Sequence, residues 1–160
     1  MPITTGETLP DTLIHIKTDD GIEETSLKDW SRGRKVVLIA VPGAFTPTCS
    51  ARHLPGFVEM AASFHNKGVD AIGCLAVNDA HVMHAWGRDS GADGKIDMLA
   101  DPEGNAADAM GVLVVKTPVL GNTRAGRLAL IAEDGVTTHV FIEEPGAFEI
   151  SSAEHVLKHL

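Results

Sequence analysis

The chain is poor in cysteine and has no long apolar segment. Its two cysteines, Cys49 and Cys74, are too few for a disulfide scaffold, and no C-x-x-C pair is present to suggest zinc binding or a dithiol redox motif. The longest apolar stretch, residues 36–45, is far shorter than the ~20 residues that cross a bilayer. We therefore exclude a disulfide-built module and expect no membrane partner.

Basic residues are also scarce, with 13 lysines and arginines against 22 acidic residues and a formal charge of −9. Proteins that hold phosphate backbones need the opposite balance, so we expect no nucleic-acid partner. Apolar residues make up 44% of the chain, as in ordinary globular proteins. The first residues have neither the basic nor the apolar region of a signal peptide. We expect a cytoplasmic protein, or an organellar one if a presequence has been removed.

No repeat, low-complexity tract or linker interrupts the chain, and we predict one domain over residues 1–160. Apolar runs at 35–41 and 69–77 predict buried strands, and a helix is expected over 48–66, bent at Pro55-Gly56. Asp20-Gly21 and Asp134-Gly135 predict hairpins, the first of them near the N-terminus. This order of elements predicts an α/β domain of three layers, with a mixed central sheet and helices on both faces.

The segment from Val41 to Ser50, VPGAFTPTCS, lies where a buried strand is followed by a helix. Ligand sites of α/β proteins collect at that end of the sheet. Cys49 falls in the first helical turn, where free N–H groups and the helix dipole favour a thiolate. Thr46, three residues earlier, is predicted to turn its hydroxyl towards the sulfur. Pro42 and Pro47 bring no N–H group and are expected to form a wall that limits water.

A reactive thiolate alone does not explain a fast reaction. Free cysteine is about 3% ionised at pH 7, so complete ionisation gains only about 30-fold. Further hydrogen-bond donors must meet the atom that takes up charge as a bond breaks. The Thr46 hydroxyl, helical N–H groups and an arginine are suitable. We select Arg127, at the start of a predicted strand, ahead of Arg124 and Arg88.

Pro42, Thr46 and Cys49 fill the frame P-x-x-x-T-x-x-C, which matches the active-site motif of peroxiredoxins. The longer string PGAFTPTCS resembles the type II branch, which includes atypical two-cysteine enzymes. The similarity continues along nearly the whole chain, through HLPGF from residue 53, VND from 77, WGR from 86 and LADP from 99. The resemblance implies a thioredoxin-like fold and the reduction of hydrogen peroxide and alkyl hydroperoxides, with no metal, haem or other cofactor.

The resemblance also implies a role for each residue. Cys49 attacks the peroxide and becomes a sulfenic acid, while Thr46 orients the substrate. Pro42 shields the sulfur, and Arg127 favours the thiolate and holds the peroxide. A homodimer is the assembly that the family favours.

The thiol that resolves the sulfenic acid is left open. Some type II members carry a third cysteine where this chain reads FEISS at 148–152. Cys74 stands where other members use, or are thought to use, a resolving thiol, but its apolar strand equally predicts an inert packed side chain. Without Cys74 an external thiol is needed, either glutathione with glutaredoxin or thioredoxin.

Three other functions fit parts of the sequence. A redox sensor would signal through oxidised Cys49, and a general thiol–disulfide oxidoreductase would lack its usual C-x-x-C pair. A metal-binding module would use histidine pairs three or four residues apart, for which no third ligand is visible, and we predict no metal. These pairs are His81 with His84 and His155 with His159.

Overall fold

The computed structural model describes residues 1–115, 119–121 and 123–160. The strands in this part of the chain are, in order, β1 (Leu13–Thr18), β2 (Gly21–Ser26), β3 (Lys35–Val41), β4 (Ala71–Ala76), β5 (Asp97–Ala100), β6 (Leu113–Val114), β7 (Arg124–Ala125), β8 (Leu128–Glu133) and β9 (Val136–Ile142). The helices are α1 (Leu27–Ser31), α2 (Leu54–Asn66), α3 (Ala80–Asp89), α4 (Asn105–Ala109) and α5 (Ala153–Leu157). A π-helical turn over Cys49–His53 leads directly into α2.

A mixed sheet forms the middle layer, with strand order β2-β1-β5-β4-β3-β8-β9. Strands β3, β4 and β5 are parallel to one another, while β8 runs antiparallel to β3, and β1 antiparallel to β5. Strand β3 lies inside the sheet between β4 and β8 and reads KVVLIAV, which suits burial on both faces. Strands β6 and β7 pair separately as a short ribbon.

The two faces of the sheet are covered by different helices, because alternate residues of β3 point to opposite sides. Ile39 and its same-face neighbours pack against the apolar side chains of α2, α3 and α5. Leu38 and its neighbours pack against α1 and α4. The predicted α/β domain of three layers with a mixed central sheet is thus confirmed.

The two predicted hairpins form, and the predicted irregularity of the long helix lies at a different position. The N-terminal hairpin forms between β1 and β2, and the second hairpin turns at Asp134-Gly135, where both residues have positive φ. The long helix is irregular before Pro55 and not at it. The N–H of Leu54 bonds to the Cys49 carbonyl five residues back, and Pro55 has no N–H to continue an earlier α-helical ladder. No helix in the described ranges has the length and apolar character to cross a bilayer.

Candidate active site

Cys49 is positioned by the strand that precedes it and by the helix that follows. It opens the π-helical turn, eight residues after strand β3 ends at Val41 at the edge of the sheet. Its side chain is fully buried and belongs to the core between the sheet and α2. The predicted place of Cys49, in the first helical turn, is the place that the structure gives it.

The seven residues 42–48 connect β3 to this turn. Arg127 reaches the sulfur from the position just before β8. Strand β8 runs antiparallel to β3, with Leu128 paired to Ala40, so the residue before β8 arrives at the same sheet edge as the loop. The Nη2 group of Arg127 donates a hydrogen bond to Cys49 Sγ at 3.1 Å. A guanidinium only donates, so the sulfur accepts this hydrogen bond and lies beside a positive charge.

His53 completes the contacts of Arg127 and was not selected from the sequence. Its Nδ1 lies 2.8 Å from Arg127 Nη1, and its Nε2 lies 2.9 Å from the Ser151 carbonyl oxygen. Arginine only donates and a carbonyl only accepts, so the ring is neutral with its proton on Nε2. Burial, with a further contribution from Arg127, lowers the pKa of His53 from 6.5 to about 3. The spacing of four residues from Cys49 was the available signal, since it places both side chains on one helical face.

Glu143 holds the segment that contacts His53. Its Oε2 accepts hydrogen bonds from Ser151 N at 2.9 Å, Ser151 Oγ at 2.7 Å and Glu149 N at 2.6 Å. Burial acts to raise the pKa of Glu143, but these donors outweigh it and hold the pKa below its ordinary value. A chain of contacts therefore runs from Glu143 through Ser151 and His53 to Arg127.

Thr46 lies in the loop before the helical turn. Its hydroxyl donates to the Gly43 carbonyl at 2.7 Å, and its own carbonyl accepts from Ser50 N at 2.9 Å. Helical spacing predicted that the Thr46 hydroxyl faces Cys49. In the structure Thr46 precedes the helix, and the hydroxyl proton is bonded to the Gly43 carbonyl. The hydroxyl oxygen keeps lone pairs that can accept a hydrogen bond from a substrate O–H group.

A groove of about 570 Å³ opens beside these residues. Pro42, Thr48 and Arg127 line one part of it, so Arg127 connects the groove with the Cys49 sulfur. Most of the remaining walls are apolar or glycine, and they include Val112, Leu113, Val114, Ala125, Ile142, Pro145 and Ala147. The groove can therefore hold a small molecule with a polar end at Arg127 and an apolar body.

Cys74 lies within β4, paired with Ile39 of β3 and Met98 of β5, and is fully buried. Both cysteines are free thiols. Burial raises the pKa of Cys74 above its ordinary value, the charge of Cys49 adds to the rise, and Arg127 partly offsets it. A resolving role for Cys74 stays a prediction, and its surroundings favour an unreactive thiol.

The two other arginines considered from the sequence make different contacts. Arg124 donates to the Val77 carbonyl at 3.4 Å and to the Leu120 carbonyl at 3.2 Å. Arg88 is exposed on α3. Among these three arginines, the structure gives the contact with the sulfur to Arg127.

The histidine pairs acquire neighbours that the sequence did not indicate. His81 Nδ1 lies 3.1 Å from Lys17 Nζ. The rings of His155 and His159 are 4.8 Å apart, and the ring of His139 lies 5.6 Å from that of His159. Within residues 1–115, 119–121 and 123–160, no three His, Cys, Asp or Glu side chains are grouped to hold a metal ion.

The fold and this site together define a thioredoxin-like protein with a reactive cysteine. The family model described as Redoxin matches residues 4–157. The chain is 48% identical over 164 residues to peroxiredoxin-2E-2, chloroplastic, of Oryza sativa subsp. japonica, which covers 99% of this chain and 72% of that protein. It is 40% identical to peroxiredoxin-2B of Arabidopsis thaliana, over 99% of both proteins.

Comparison with a solved structure indicates the same family. The structure of reduced Prx3 in complex with H2O2 from Vibrio vulnificus superposes with a TM-score of 0.94, at 42% identity and with 98% of both chains covered. The chain belongs to the peroxiredoxin family and is a thiol-dependent peroxidase. The predicted family, fold and enzyme class are confirmed.

Proposed function

We propose that Cys49 is the residue that attacks the peroxide. Its thiolate gives an electron pair to one peroxide oxygen, an S–O bond forms, and the O–O bond breaks. The leaving hydroxide or alkoxide takes up a proton and departs as water or alcohol, and the sulfur is left as a sulfenic acid. The hydrogen bond of 3.1 Å from Arg127 Nη2 to Cys49 Sγ carries this proposal.

Three other residues assist that step. The Arg127 guanidinium holds the thiolate and donates to the peroxide oxygen that takes up charge. The Thr46 oxygen accepts a hydrogen bond from the O–H group of the peroxide, because its own proton is already bonded to Gly43. Pro42 lines the groove and limits the access of water to the sulfur.

The substrates are hydrogen peroxide and alkyl hydroperoxides. The polar end of the groove at Arg127 suits the peroxide group, and the apolar walls suit an alkyl chain. The reductant is an external thiol, either glutathione with glutaredoxin or thioredoxin. This choice follows from the burial of Cys74 within the sheet and from the serines at 151 and 152.

Residues 1–160 form one catalytic unit, and two copies form a homodimer. The family model matches 4–157, and the sheet uses strands from β1 to β9, which support a single unit. The enzyme works in a reducing compartment, the cytoplasm or the interior of an organelle. The two free cysteines support this location, and two relatives are named as chloroplastic.

The test is peroxide turnover by the wild type, Cys49→Ser and Cys74→Ser, with thioredoxin and with glutathione plus glutaredoxin supplied in parallel. Cys49→Ser is expected to lose turnover with every reductant. Cys74→Ser is the matched control, since it alters a buried thiol of the same core, and it is expected to keep turnover. Turnover by Cys49→Ser would refute the role of Cys49, and its loss in Cys74→Ser would make Cys74 the resolving thiol.

A further inference from the structure

The peptide unit between Gly43 and Ala44 is held at both of its polar groups. Its carbonyl oxygen, on Gly43, accepts the hydrogen bond of 2.7 Å from the Thr46 hydroxyl. Its N–H group, on Ala44, donates to the side-chain oxygen of Asn78 at 2.9 Å. A trans peptide is planar and its C=O and N–H groups point in opposite directions, so fixing the N–H also fixes the carbonyl. The Asn78 side chain therefore determines where Thr46 finds the acceptor for its hydroxyl proton.

The sheet brings Asn78 beside the loop that contains this peptide. Strand β4 is parallel to β3, with Ala76 paired to Val41, so both strands end at the same edge of the sheet. Asn78 lies between the end of β4 and the residue that caps α3, and its side chain is half-buried. A backbone N–H only donates, so the Asn78 atom that faces Ala44 is the amide oxygen.

Arg124 covers another side of the same peptide. A Cβ at Gly43 would lie 3.1 Å from Arg124 Nη1 and 3.2 Å from Thr46 Cγ2, so Gly43 is closely packed between the two. The same Nη1 donates to the carbonyl of Val77, the residue before Asn78, at 3.4 Å. A rotation of the peptide would meet one of these groups. The hydrogen bond to Asn78 and the packing of Arg124 thus favour one orientation of the Gly43 carbonyl.

This orientation matters because the Thr46 hydroxyl has only one proton to donate. While the proton is bonded to the Gly43 carbonyl, the lone pairs of the oxygen are free for the O–H group of a peroxide. If the carbonyl turned away, the hydroxyl would direct its proton to another acceptor, the peroxide oxygen included. It would then no longer accept a hydrogen bond from the substrate.

We propose that Asn78 is a positioning residue of the peroxidase reaction. Its side-chain oxygen fixes the Gly43–Ala44 peptide, and this peptide holds the Thr46 hydroxyl as an acceptor for the peroxide O–H group. The inference rests on the proposed role of Thr46. Asn78 acts on the substrate through one peptide unit and one hydroxyl group.

Three variants test the acceptor at position 78. Asn78→Ala removes the oxygen that receives the Ala44 N–H. Asn78→Asp is the conservative variant, because a carboxylate oxygen can occupy the same position and accept the same bond. Asn66→Ala is the matched control, since it removes the same atoms from an exposed asparagine at the end of α2.

The first measurement is the rate constant for oxidation of Cys49 by hydrogen peroxide, followed by stopped-flow tryptophan fluorescence. Trp86 bonds to Ser50, next to Cys49, and reports on the site. We expect Asn78→Ala to slow oxidation by about 10-fold, because a displacement of about 1 Å at a reaction site costs up to about 100-fold. Asn78→Asp should keep most of the rate, and Asn66→Ala all of it. The wild-type rate in Asn78→Ala would overturn the proposal.

The second measurement repeats the comparison in a Thr46→Val background. With the hydroxyl removed there is nothing left to orient, so adding Asn78→Ala should change the rate by less than about 2-fold, as for two residues that act as a unit. A merely structural role of Asn78 would slow both backgrounds by the same factor. That result would overturn the proposal.

The third measurement is alkylation of Cys49 by iodoacetamide at the same pH. Alkylation needs the sulfur but no peroxide O–H group, so Asn78→Ala should react at nearly the wild-type rate. A loosened loop would instead expose the buried sulfur and speed alkylation. Faster alkylation in Asn78→Ala would therefore count against a positioning role.

Two further observations keep the test decisive. If Thr46→Val oxidises at the wild-type rate, the proposed role of Thr46 fails. If Thr46→Val is slow and Asn78→Ala is not, only the positioning role of Asn78 fails. In case Asn78→Ala does not fold, hydrogen exchange of the Ala44 amide in the wild type should be slow, because this N–H is bonded to Asn78. Exchange at the rate of an unprotected amide would contradict the inference.

Discussion

Acidification from pH 7 to pH 5 is expected to destabilise the folded protein through His53. Burial, together with Arg127, lowers the pKa of His53 to about 3, whereas an unfolded chain has the ordinary value of 6.5. Between these values the unfolded chain binds a proton that the folded chain does not. The contribution to stability is therefore complete above pH 6.5 and is lost as the pH falls towards 3.

The magnitude follows from the difference between the two pKa values. Each pH unit in the window costs about 1.4 kcal/mol, so His53 contributes a loss of about 2 kcal/mol between pH 7 and pH 5. The full loss would approach about 5 kcal/mol near pH 3. Glu143 adds a loss of the same sign at lower pH, because its pKa is also lowered, whereas the raised pKa of Asp101 acts in the opposite direction. Comparison with a variant that lacks the His53 ring separates the contribution of His53 from both.

The assay is urea unfolding of wild type, His53→Asn and His65→Gln at pH 7, 6 and 5, followed by circular dichroism. The free energy of unfolding of the wild type should fall by about 2 kcal/mol more than that of His53→Asn over this range. His65→Gln, which removes an exposed histidine of α2, should fall in parallel with the wild type. Parallel falls in wild type and His53→Asn would refute the reasoning, because the buried neutral histidine would then not be the group that takes up the proton.

Substitutions at two further positions, each with a control variant, test the site and the core. Thr46→Val should slow oxidation of Cys49 by peroxide by about 100-fold, as expected when one hydrogen-bonding group of a reaction site is removed. Thr46→Ser, which retains the hydroxyl, should keep most of the rate. Equal rates in the two variants would contradict the role of the hydroxyl. Gly73→Ala should lower the free energy of unfolding by about 1–3 kcal/mol, since its Cβ would lie 2.7 Å from the Trp30 ring and 2.8 Å from Leu99. Gly56→Ala, whose Cβ meets its nearest neighbour at 3.6 Å, is the control in urea unfolding and should not destabilise.

Local patterns were sufficient to predict much of the fold. The run KVVLIAV predicted β3 with its bounds, since a continuous apolar stretch suits a strand buried on both faces. Asp134-Gly135 was expected to form a hairpin, and β8 and β9 pair antiparallel across this turn. Strands β6 and β7 were not predicted, because two residues each are too few to show a period.

Contacts between distant parts of the chain were harder to predict from the sequence. Cys49 and Thr46 lie in one motif, but Arg127 lies 78 residues from Cys49, and its selection needed the expected position of a strand. His53 reaches Arg127 across 74 residues and Ser151 across 98. No sequence periodicity indicates contacts between residues so far apart in the chain. The spacing of four residues between Cys49 and His53 could not reveal that His53 contacts Arg127 and Ser151.

The segment at 148–152 shows how one position can serve two purposes in related enzymes. The sequence resemblance implies that some type II peroxiredoxins carry a cysteine in this segment. Such a thiol would have to move to meet the peroxidatic sulfur. Here Ser151 is fixed from both sides, by Glu143 at its N–H and hydroxyl and by His53 at its carbonyl. Moving this segment would break the contact between the Ser151 carbonyl and the His53 ring, to which Arg127 donates. An enzyme that uses the segment as an anchor for its arginine gains from drawing electrons from an external thiol, because the anchor can then stay in place through the catalytic cycle.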